Sequence, residues 1–318
     1  TAITGKWHLW LLTEVGPRQY GFDHTYGYLH GQIDPITKRY KFGDRTWHRN
    51  DKLIEEKGHA TDLLTDEAIR VIKKKRSKPF FLYVPYSVPH TPFVESEKWM
   101  KMYPKVKEFS RRIYLASITH MDAGIGRIIQ ALNETVQLER TLILFSSDNG
   151  GQKSGNHGKQ YGGKFPPYPV LADNSPLRGF KGSVYEGGIR VPAFVSWKGQ
   201  LKPGKTDEVM HIVDWLPTVA SLVEAKIPED ANLDGRNVWP AILNRERLKD
   251  RTLYWRTPRS SAVRVGNWKL TQSGGKKPEL FNLAADPNEK KNLADKNKEK
   301  VKELQRELMD ERARDSKE

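Results

Sequence analysis

The sequence contains no cysteine and no long apolar run. The absence of Cys among its 318 residues excludes disulfides, thiolate metal sites and cysteine nucleophiles within this chain. No stretch of apolar residues approaches the roughly 18 that a membrane span requires. The 25 Gly and 19 Pro are scattered without a period, which excludes a collagen-like chain. With 9 Trp, 12 Tyr and 11 Phe, the chain has enough apolar surface to offset the entropy lost on folding, so a globular protein is expected.

Acidic residues are fewer than basic ones, and this imbalance favours an anionic partner. There are 54 Lys and Arg against 39 Asp and Glu, a net charge of +15. The surplus lies before residue 286, because 286–318 has ten basic and ten acidic residues. Sulfated or phosphorylated substrates suit such a field as well as nucleic acid does. No nucleic-acid-binding signature accompanies the charge, so we expect no nucleic-acid partner, and we expect no membrane partner.

Helical and strand patterns alternate along the chain and predict an α/β fold. Apolar residues at helical spacing predict helices over 62–75, 114–132 and 213–223. Short apolar runs between turn residues predict strands over 80–84, 141–146 and 191–197. After about residue 250, a small antiparallel sheet and a terminal helix are predicted. The strands are expected at 252–255, 262–265, 268–271 and 279–281, and the helix at Val301, Leu304 and Leu308.

Two short motifs place histidines beside other chemical groups. In the first, Lys6 and His8 are two residues apart, so on an extended segment they project to the same side. A fixed cation beside an imidazole suits an anionic transition state with nearby proton transfer. In the second, His90 lies between Pro89 and Pro92, just past a predicted strand, where α/β proteins gather their sites. Taken singly, each motif also fits an ordinary surface pair or a rigid loop.

Two further motifs offer oxygen ligands and positive charge. Asp148 and Asn149 follow the predicted strand 141–146 and supply hard oxygens of the kind that Ca²⁺ or Mg²⁺ prefers. Arg178 and Lys181 lie in a glycine-rich stretch, where backbone can approach an anion closely. An Asx turn and a solvated basic loop are the alternatives for these two motifs.

Together and in this order, the motifs resemble the type I, formylglycine-dependent sulfatases of the alkaline phosphatase superfamily. The resemblance covers nearly the whole chain. It is to arylsulfatase B-like and bacterial polysaccharide sulfatases in particular. It implies a mixed sheet flanked by helices in a catalytic domain over 1–250, and an α+β subdomain over 251–318. The matching stretches are GKWH at 5–8, GFDHTYGYL at 21–29, PFFLYVPYSVPHTP at 79–92, SSDNGG at 146–151, LRGFKGSVYEGGIRVP at 177–192, HIVDWLPT at 211–218 and ELFNLAADPNEKKNLA at 279–294.

The resemblance also implies roles for individual residues. Lys6 and Lys181 would be cations on the sulfate, and His8 would hydrogen-bond or deprotonate the formylglycine hydrate. His90 would lie near the bridging oxygen as the acid for the leaving alcohol. Arg178 would be a further substrate contact. The ligands of a Ca²⁺ ion, expected in preference to Mg²⁺, would include Asp148 and Asn149.

Two features of the family are missing from this sequence. The formylglycine nucleophile is made from Cys or Ser in a C/S-x-P-S/A-R motif, whereas Ser77, Lys78 and Pro79 are followed here by two Phe. The paired N-terminal aspartates that complete the metal site are also absent. Both normally precede GKWH, so we expect the nucleophile in a part of the protein N-terminal to Thr1. Trp10 stands where the family usually has Gly, so the loop after His8 is expected to be reshaped.

The expected activity is hydrolysis of a sulfate ester on a sulfated carbohydrate. A sugar polymer suits the basic body and the aromatic-rich segment 20–47, whose rings are expected to pack on sugar faces. His24 and His30, in that segment, are interpreted as surface histidines. The family is mostly periplasmic, extracellular or lysosomal. The alternatives are a phosphodiesterase or phosphonate hydrolase of the same superfamily, and a non-catalytic polyanion-binding pseudoenzyme.

The first prediction is that the 318-residue chain by itself does not turn over sulfate esters, because its sequence holds no nucleophile motif. Purified protein incubated with p-nitrophenyl sulfate and Ca²⁺ should release nitrophenol at the rate of a blank. Hydrolysis by homogeneous protein above that rate would contradict the prediction.

Overall fold

The computed structural model describes residues 1–157, 160–161 and 165–315. The chain forms two compact units, one made of Thr1–Thr141 with Ser147–Ser175 and the other of Leu142–Ser146 with Pro176–Glu318. None of the helices in the described ranges is both long and apolar enough to cross a membrane.

Strands and helices alternate through both units. The strands are β1 (Ala2–Lys6), β2 (His24–Tyr28), β3 (Trp47–Arg49), β4 (Lys52–Leu53), β5 (Leu82–Tyr83), β6 (Ile143–Ser146), β7 (Ala193–Ser196), β8 (Thr252–Arg256), β9 (Ser260–Val265), β10 (Trp268–Ser273) and β11 (Glu279–Asn282). The α-helices are α1 (Ala60–Lys73), α2 (Glu97–Met100), α3 (Phe109–Glu134), α4 (Glu186–Ile189), α5 (Trp215–Leu222), α6 (Trp239–Leu243) and α7 (Lys298–Arg314).

The first unit is built on a five-stranded mixed sheet in the order β4-β3-β2-β1-β5. Strand β1 pairs in parallel with β2 and with β5, whereas β3 and β4 extend the sheet in antiparallel fashion. Tyr26, Tyr28 and Trp47 are at most 3% exposed and pack with Leu64 of α1 in one core cluster. Each such buried side chain contributes about 1.5–3 kcal/mol, so these residues hold α1 against the sheet.

Helix α1 begins two residues before the predicted start because His59 caps it. The Nδ1 atom of His59 accepts a hydrogen bond from the backbone N–H of Thr61, which satisfies one of the unpaired donors of the first turn. Leu64, Ala68 and Ile72 lie on its buried face, at the spacing that predicts this helix.

Helix α3 is the longest element, with 26 residues, and it extends the predicted 114–132 at both ends. Its N-terminus is fixed by Glu108, whose side chain accepts from the backbone N–H of Arg111. The helix packs along α1.

In the second unit, the predicted small antiparallel sheet with a terminal helix is confirmed. The sheet has the order β11-β10-β9-β8, and α7 covers one face with Leu304 and Leu308, which are at most 4% exposed. Strands β6 and β7 form a separate antiparallel pair of four residues each, within the predicted 141–146 and 191–197.

A fully buried ion group ties α4 to this sheet. The Nζ atom of Lys269 lies 2.8 Å from Glu186 Oε1 and 2.8 Å from Glu289 Oε1, and all three side chains are at most 4% exposed. The backbone N–H of Glu186 donates to Glu289 at 2.6 Å. Burial raises the pKa of Glu289, although Lys269 opposes the rise. Removing one member would leave an unpaired charge in the interior, so the group fixes the position of α4.

Several expectations for 20–47 and its surroundings are wrong. Tyr26 and Tyr28 belong to the core instead of offering rings to a sugar, because β2 is covered by α1. His30 is 7% exposed with Nδ1 2.9 Å from Thr46 Oγ1, and His24 bonds to the buried Glu67, so neither is an ordinary surface histidine. The strand predicted at 80–84 covers two residues, Leu82–Tyr83. The boundary near residue 250 stays a prediction.

Burial of His48 in β3 generates a prediction about acid stability. His48 is 1% exposed, and burial lowers its pKa to about 4. In the unfolded chain the ring takes a proton near pH 6.5, whereas in the folded chain it stays neutral until about pH 4. The free energy of unfolding therefore contains the full contribution of His48 above pH 6.5. As the pH drops toward 4, this contribution falls by up to about 3 kcal/mol.

The measurement is urea unfolding of the wild type and of His48→Gln between pH 7 and pH 4.5. The variant removes the titrating group and should lose less stability over this range than the wild type. An equal loss in both proteins would contradict the assignment to His48.

Candidate functional site

The site is built at the carboxyl end of β1. Lys6 is the last residue of this strand, and its backbone N–H donates to Pro85 O at 2.8 Å, just beyond β5. On the other side, Lys6 is the register partner of Tyr28. Since β1, β2 and β5 run in parallel, residues that follow them meet at the same edge of the sheet, where α/β proteins place their ligands.

His8 continues from this edge in an unusual backbone conformation. Its φ of 62° lies in the left-handed region, which costs a residue with a side chain about 1–2 kcal/mol. The backbone N–H donates to Leu29 O at 2.9 Å. The ring lies over Gly31, where an added Cβ would come within 2.3 Å of His8 Nε2. Glycine at position 31 therefore makes room for the imidazole, and the exposed ring is held at the sheet edge.

His90 lies five residues past Pro85, between the cis bonds Val88–Pro89 and Thr91–Pro92. Its Nδ1 atom is 2.7 Å from Thr91 O. A carbonyl oxygen can only accept, so Nδ1 carries the hydrogen and gain or loss of a proton falls to Nε2. This is the arrangement that an acid–base histidine needs.

Asp148 acts electrostatically on two tyrosines of the sheet. Burial raises the pKa of the Tyr83 hydroxyl in β5, and the negative charge of Asp148 raises it further. Burial also raises the pKa of Tyr28, again with a contribution from Asp148. These two tyrosines lie in the strands on either side of β1, so Asp148 is close to the end of the strand that carries Lys6.

The loop that holds Asp148 and Asn149 is clamped from outside. The backbone N–H of Gly151 donates to Asn174 Oδ1 at 3.1 Å, and Asn174 Nδ2 donates back to Gly151 O at 2.9 Å. A Cβ at position 151 would lie 2.2 Å from Ala172 Cβ, so only glycine allows this approach. The two-way bond fixes the turn immediately after the candidate ligands.

The side-chain oxygens of Asp148 and Asn149 are of the type that Ca²⁺ prefers as ligands. The Asn149 Nδ2 group donates to Gly150 O at 2.9 Å, which sets the orientation of the amide and leaves Oδ1 as an acceptor. With the exposed carboxylate of Asp148, this makes two hard oxygen ligands on one turn. Calcium takes six to eight such oxygens, so these two residues would supply part of a shell.

Arg178 and Lys181 belong to the second unit. The guanidinium of Arg178 lies 3.2 Å from Glu279 Oε1 and 3.1 Å from Tyr185 Oη, with its centre 3.8 Å from the Tyr185 ring. Lys181 is exposed, between two glycines with positive φ, Gly179 and Gly182. Their predicted contacts with a substrate stay predictions.

The sequence reasoning missed one cluster of titratable groups. The side chains of His59, Asp62 and His120 each offer one ligand atom, all within 4.8 Å of one another, so the group can hold a metal ion. His120 is also bonded to Glu95, at 2.9 Å from Nδ1, and to Asp62, at 3.2 Å from Nε2. Burial acts to lower the pKa of His120, but these two carboxylates outweigh it and raise the pKa. Two separate segments supply the three members, the start of α1 and the middle of α3, so no local spacing signals the whole cluster.

The mixed sheet has Lys6 at the carboxyl end of β1 and His8 two residues further on, and α/β proteins bind their ligands at such an edge. The comparisons make the class specific. The chain belongs to the sulfatase family, because the family described as "Sulfatase" matches its residues 1–225. A second family, described as "N-sulphoglucosamine sulphohydrolase, C-terminal", matches residues 180–317. The resemblance drawn from the motifs is confirmed.

Individual relatives agree with the family assignment. Arylsulfatase J of Mus musculus is 29% identical over 97% of this chain and 59% of its own length. An N-acetylgalactosamine-6-O-sulfatase of Bacteroides thetaiotaomicron is 25% identical over 96% of this chain and 73% of its own length. A solved structure described as Ps i-CgsB in complex with k-i-k-neocarrahexaose matches with a TM-score of 0.87 and 31% identity, over 100% of this chain and 72% of that one. The predicted fold class, an α/β sulfatase fold with a small C-terminal sheet and helix, is confirmed.

The chain spans about half the length of the curated relatives it matches, with 59% of the mouse protein and 45% of the Escherichia coli sulfatase YdeN.

The clamp at Gly151 generates a prediction about stability. Gly151→Ala forces a Cβ against Ala172 and Asn174, so we expect the free energy of unfolding to fall by about 1–3 kcal/mol. Gly126→Ala is the matched control, because a Cβ there meets nothing within 4 Å on an exposed turn of α3. That change should stabilise by up to about 1 kcal/mol. Urea unfolding of both variants measures the difference, and equal values would contradict the clamp.

Proposed function

We propose that the whole protein is a sulfuric ester hydrolase that removes sulfate from a sulfated carbohydrate. The observation that carries the proposal is the position of Lys6 and His8 at the carboxyl end of β1, in a chain of the sulfatase family. The effect of the Asp148 charge on Tyr28 and Tyr83 supports a role for this carboxylate nearby. A cation, an imidazole and a hard oxygen ligand are the groups that transfer of a sulfuryl group requires around its charge-rich transition state.

In this proposal, the lysines bind the sulfate. The backbone of Lys6 is held at the end of β1, and its ammonium group would neutralise one sulfate oxygen. Lys181 would approach from its glycine-flanked loop as a second cation. Arg178, which is bonded to Glu279 and Tyr185, would add a further contact with the substrate from the same loop. Fixed charges of this kind stabilise the transition state without paying for reorganisation as the reaction proceeds.

The histidines handle protons. His90 has its Nδ1 hydrogen committed to Thr91 O, so Nε2 would donate to the oxygen of the leaving alcohol. His8, held over Gly31, would bond to the nucleophile and orient it. The carboxylate of Asp148 and the amide oxygen of Asn149 would hold Ca²⁺. When bound, this ion supplies positive charge that draws sulfate and nucleophile together.

A carbohydrate substrate follows from the relatives and from charge. One relative is named for the sulfate on carbon 6 of N-acetylgalactosamine, and the 31% identical structure is described with a neocarrahexaose. The net charge of +15 suits a sulfated polymer. Because such a polymer does not cross a membrane unaided, we place its hydrolysis outside the cytoplasm or in a lysosome.

The test uses the full-length protein with Ca²⁺ and p-nitrophenyl sulfate. Lys6→Ala and Lys181→Ala should each lower kcat/KM by about 10²–10³-fold, since each removes a charge from the transition state. His90→Ala should lower kcat most for alcohols that leave poorly and least for nitrophenol, as expected for loss of an acid. Lys202→Ala is the matched control, another exposed lysine of the second unit.

The same series on p-nitrophenyl phosphate and a phosphonate monoester decides between activities. Faster turnover of a phosphorus ester would make the protein a phosphodiesterase or phosphonate hydrolase. Retention on heparin without turnover, and unaffected by the three alanine variants, would make it a polyanion-binding pseudoenzyme.

A further inference from the structure

One aromatic side chain beside the site is exposed and strained at once. Phe42 is 81% exposed, and its φ of 57° lies in the left-handed region, where a bulky side chain is a genuine outlier. An exposed Phe forgoes the stabilisation that burial would give it. A residue that carries both costs is kept in place by its surroundings, so its neighbours decide whether the ring has a function.

The surroundings of Phe42 hold it firmly. Its backbone N–H donates to Gln160 O at 2.7 Å. Arg39 and Arg45 form an isolated antiparallel bridge that closes the loop on either side of it. Both arginines also pair with Glu55, at 2.7 Å and 3.3 Å. The loop is therefore a fixed turn that presents the Phe42 ring outward.

A chain of contacts links this turn to the candidate site. The His8 backbone donates to Leu29 O, and the His8 ring lies over Gly31. The residue between them, His30, has its ring 4.3 Å from that of Tyr40, two residues before Phe42. Two residues of chain span at most roughly 7 Å, so Phe42 lies close to this contact.

The neighbours of the ring define what it can bind. Lys41 precedes Phe42 and makes no ion pair with a carboxylate in the described part of the chain. Phe42 itself has no ring contact there. A flat apolar surface beside an ammonium group fits a pyranose ring that bears a sulfate, because the C–H face of the sugar packs on the aromatic ring and the cation attracts the anion.

We propose that Phe42, with Lys41, binds the sugar residue next to the one whose sulfate is removed, and so makes the protein prefer sulfated oligosaccharides over small sulfate esters. This proposal rests on the proposed function. It also narrows the broad expectation for 20–47, since Tyr26, Tyr28 and Trp47 lie in the core whereas Phe42 is exposed.

The test compares Phe42→Gly and Phe42→Trp with the wild-type full-length protein. Phe42→Gly removes the ring and relieves the left-handed strain, so the variant should denature at a higher temperature than the wild type. Misfolding therefore cannot explain a loss of binding. Val136→Ala is the matched control, because Val136 is 82% exposed with a φ of 56° at the end of α3.

The readout is the ratio of kcat/KM on a sulfated hexasaccharide to kcat/KM on p-nitrophenyl sulfate. The hexasaccharide is whichever of a carrageenan and a chondroitin sulfate preparation the wild type cleaves faster. Phe42→Gly should lower the ratio about tenfold, mainly through KM, as is usual for an aromatic binding residue. Phe42→Trp should keep the ratio within about twofold, and Val136→Ala should leave it unchanged.

Three outcomes would overturn the proposal. They are an unchanged ratio in Phe42→Gly, no wild-type preference for either hexasaccharide, and a lower denaturation temperature in Phe42→Gly, which would show that the ring packs against protein. Absence of aryl sulfate turnover in the wild type is a different result, because it rejects the proposed function itself.

Discussion

The parallel pairing of β1 with both β2 and β5 is the constraint on which the candidate site depends. It brings Lys6 to the same edge as Pro85 and Tyr28, although these residues are far apart in sequence. His8 leaves that edge in a strained turn, and His90 follows β5 after a short loop. Without this pairing, the GKWH and PHTP motifs would be two unrelated loops. The sheet therefore converts sequence order into chemical proximity.

Much of the fold can be predicted from the spacing of apolar residues, whereas strands β1 to β4 cannot. Helices α1 and α3 and strands β8 to β11 have amphipathic patterns that predict them closely. Strand β2 reads HTYGY, with a Gly and polar groups, and it becomes core only because the parallel sheet and α1 enclose it. The cluster of His59, Asp62 and His120 was also out of reach, since its members meet through the packing of α1 on α3.

Family-like motifs in the second unit carry structural as well as chemical residues. Glu186 lies in the LRGFKGSVYEGGIRVP stretch and Glu289 in ELFNLAADPNEKKNLA, and both hold the buried Lys269. Sequence reasoning assigns charged residues in such stretches to a ligand or to the surface. Burial decides otherwise here, because an ammonium group in the interior needs carboxylate partners. These two motifs therefore fix the position of α4, and the first of them also carries Lys181, the cation expected to contact the sulfate.

The clamp between Gly151 and Asn174 has a consequence for how such proteins diverge. Two hydrogen bonds join the Gly151 backbone to the Asn174 side-chain amide, and they bring together the ends of a stretch of 22 intervening residues. Lengthening a closed loop costs little, since its closure entropy grows only with the logarithm of its length. Tyr168 and Leu171 of this stretch are buried in a core cluster and must stay, so added residues belong elsewhere between the two positions, where they leave Asp148 and Asn149 in place. Such a layout lets the length of this stretch vary independently of the candidate ligands.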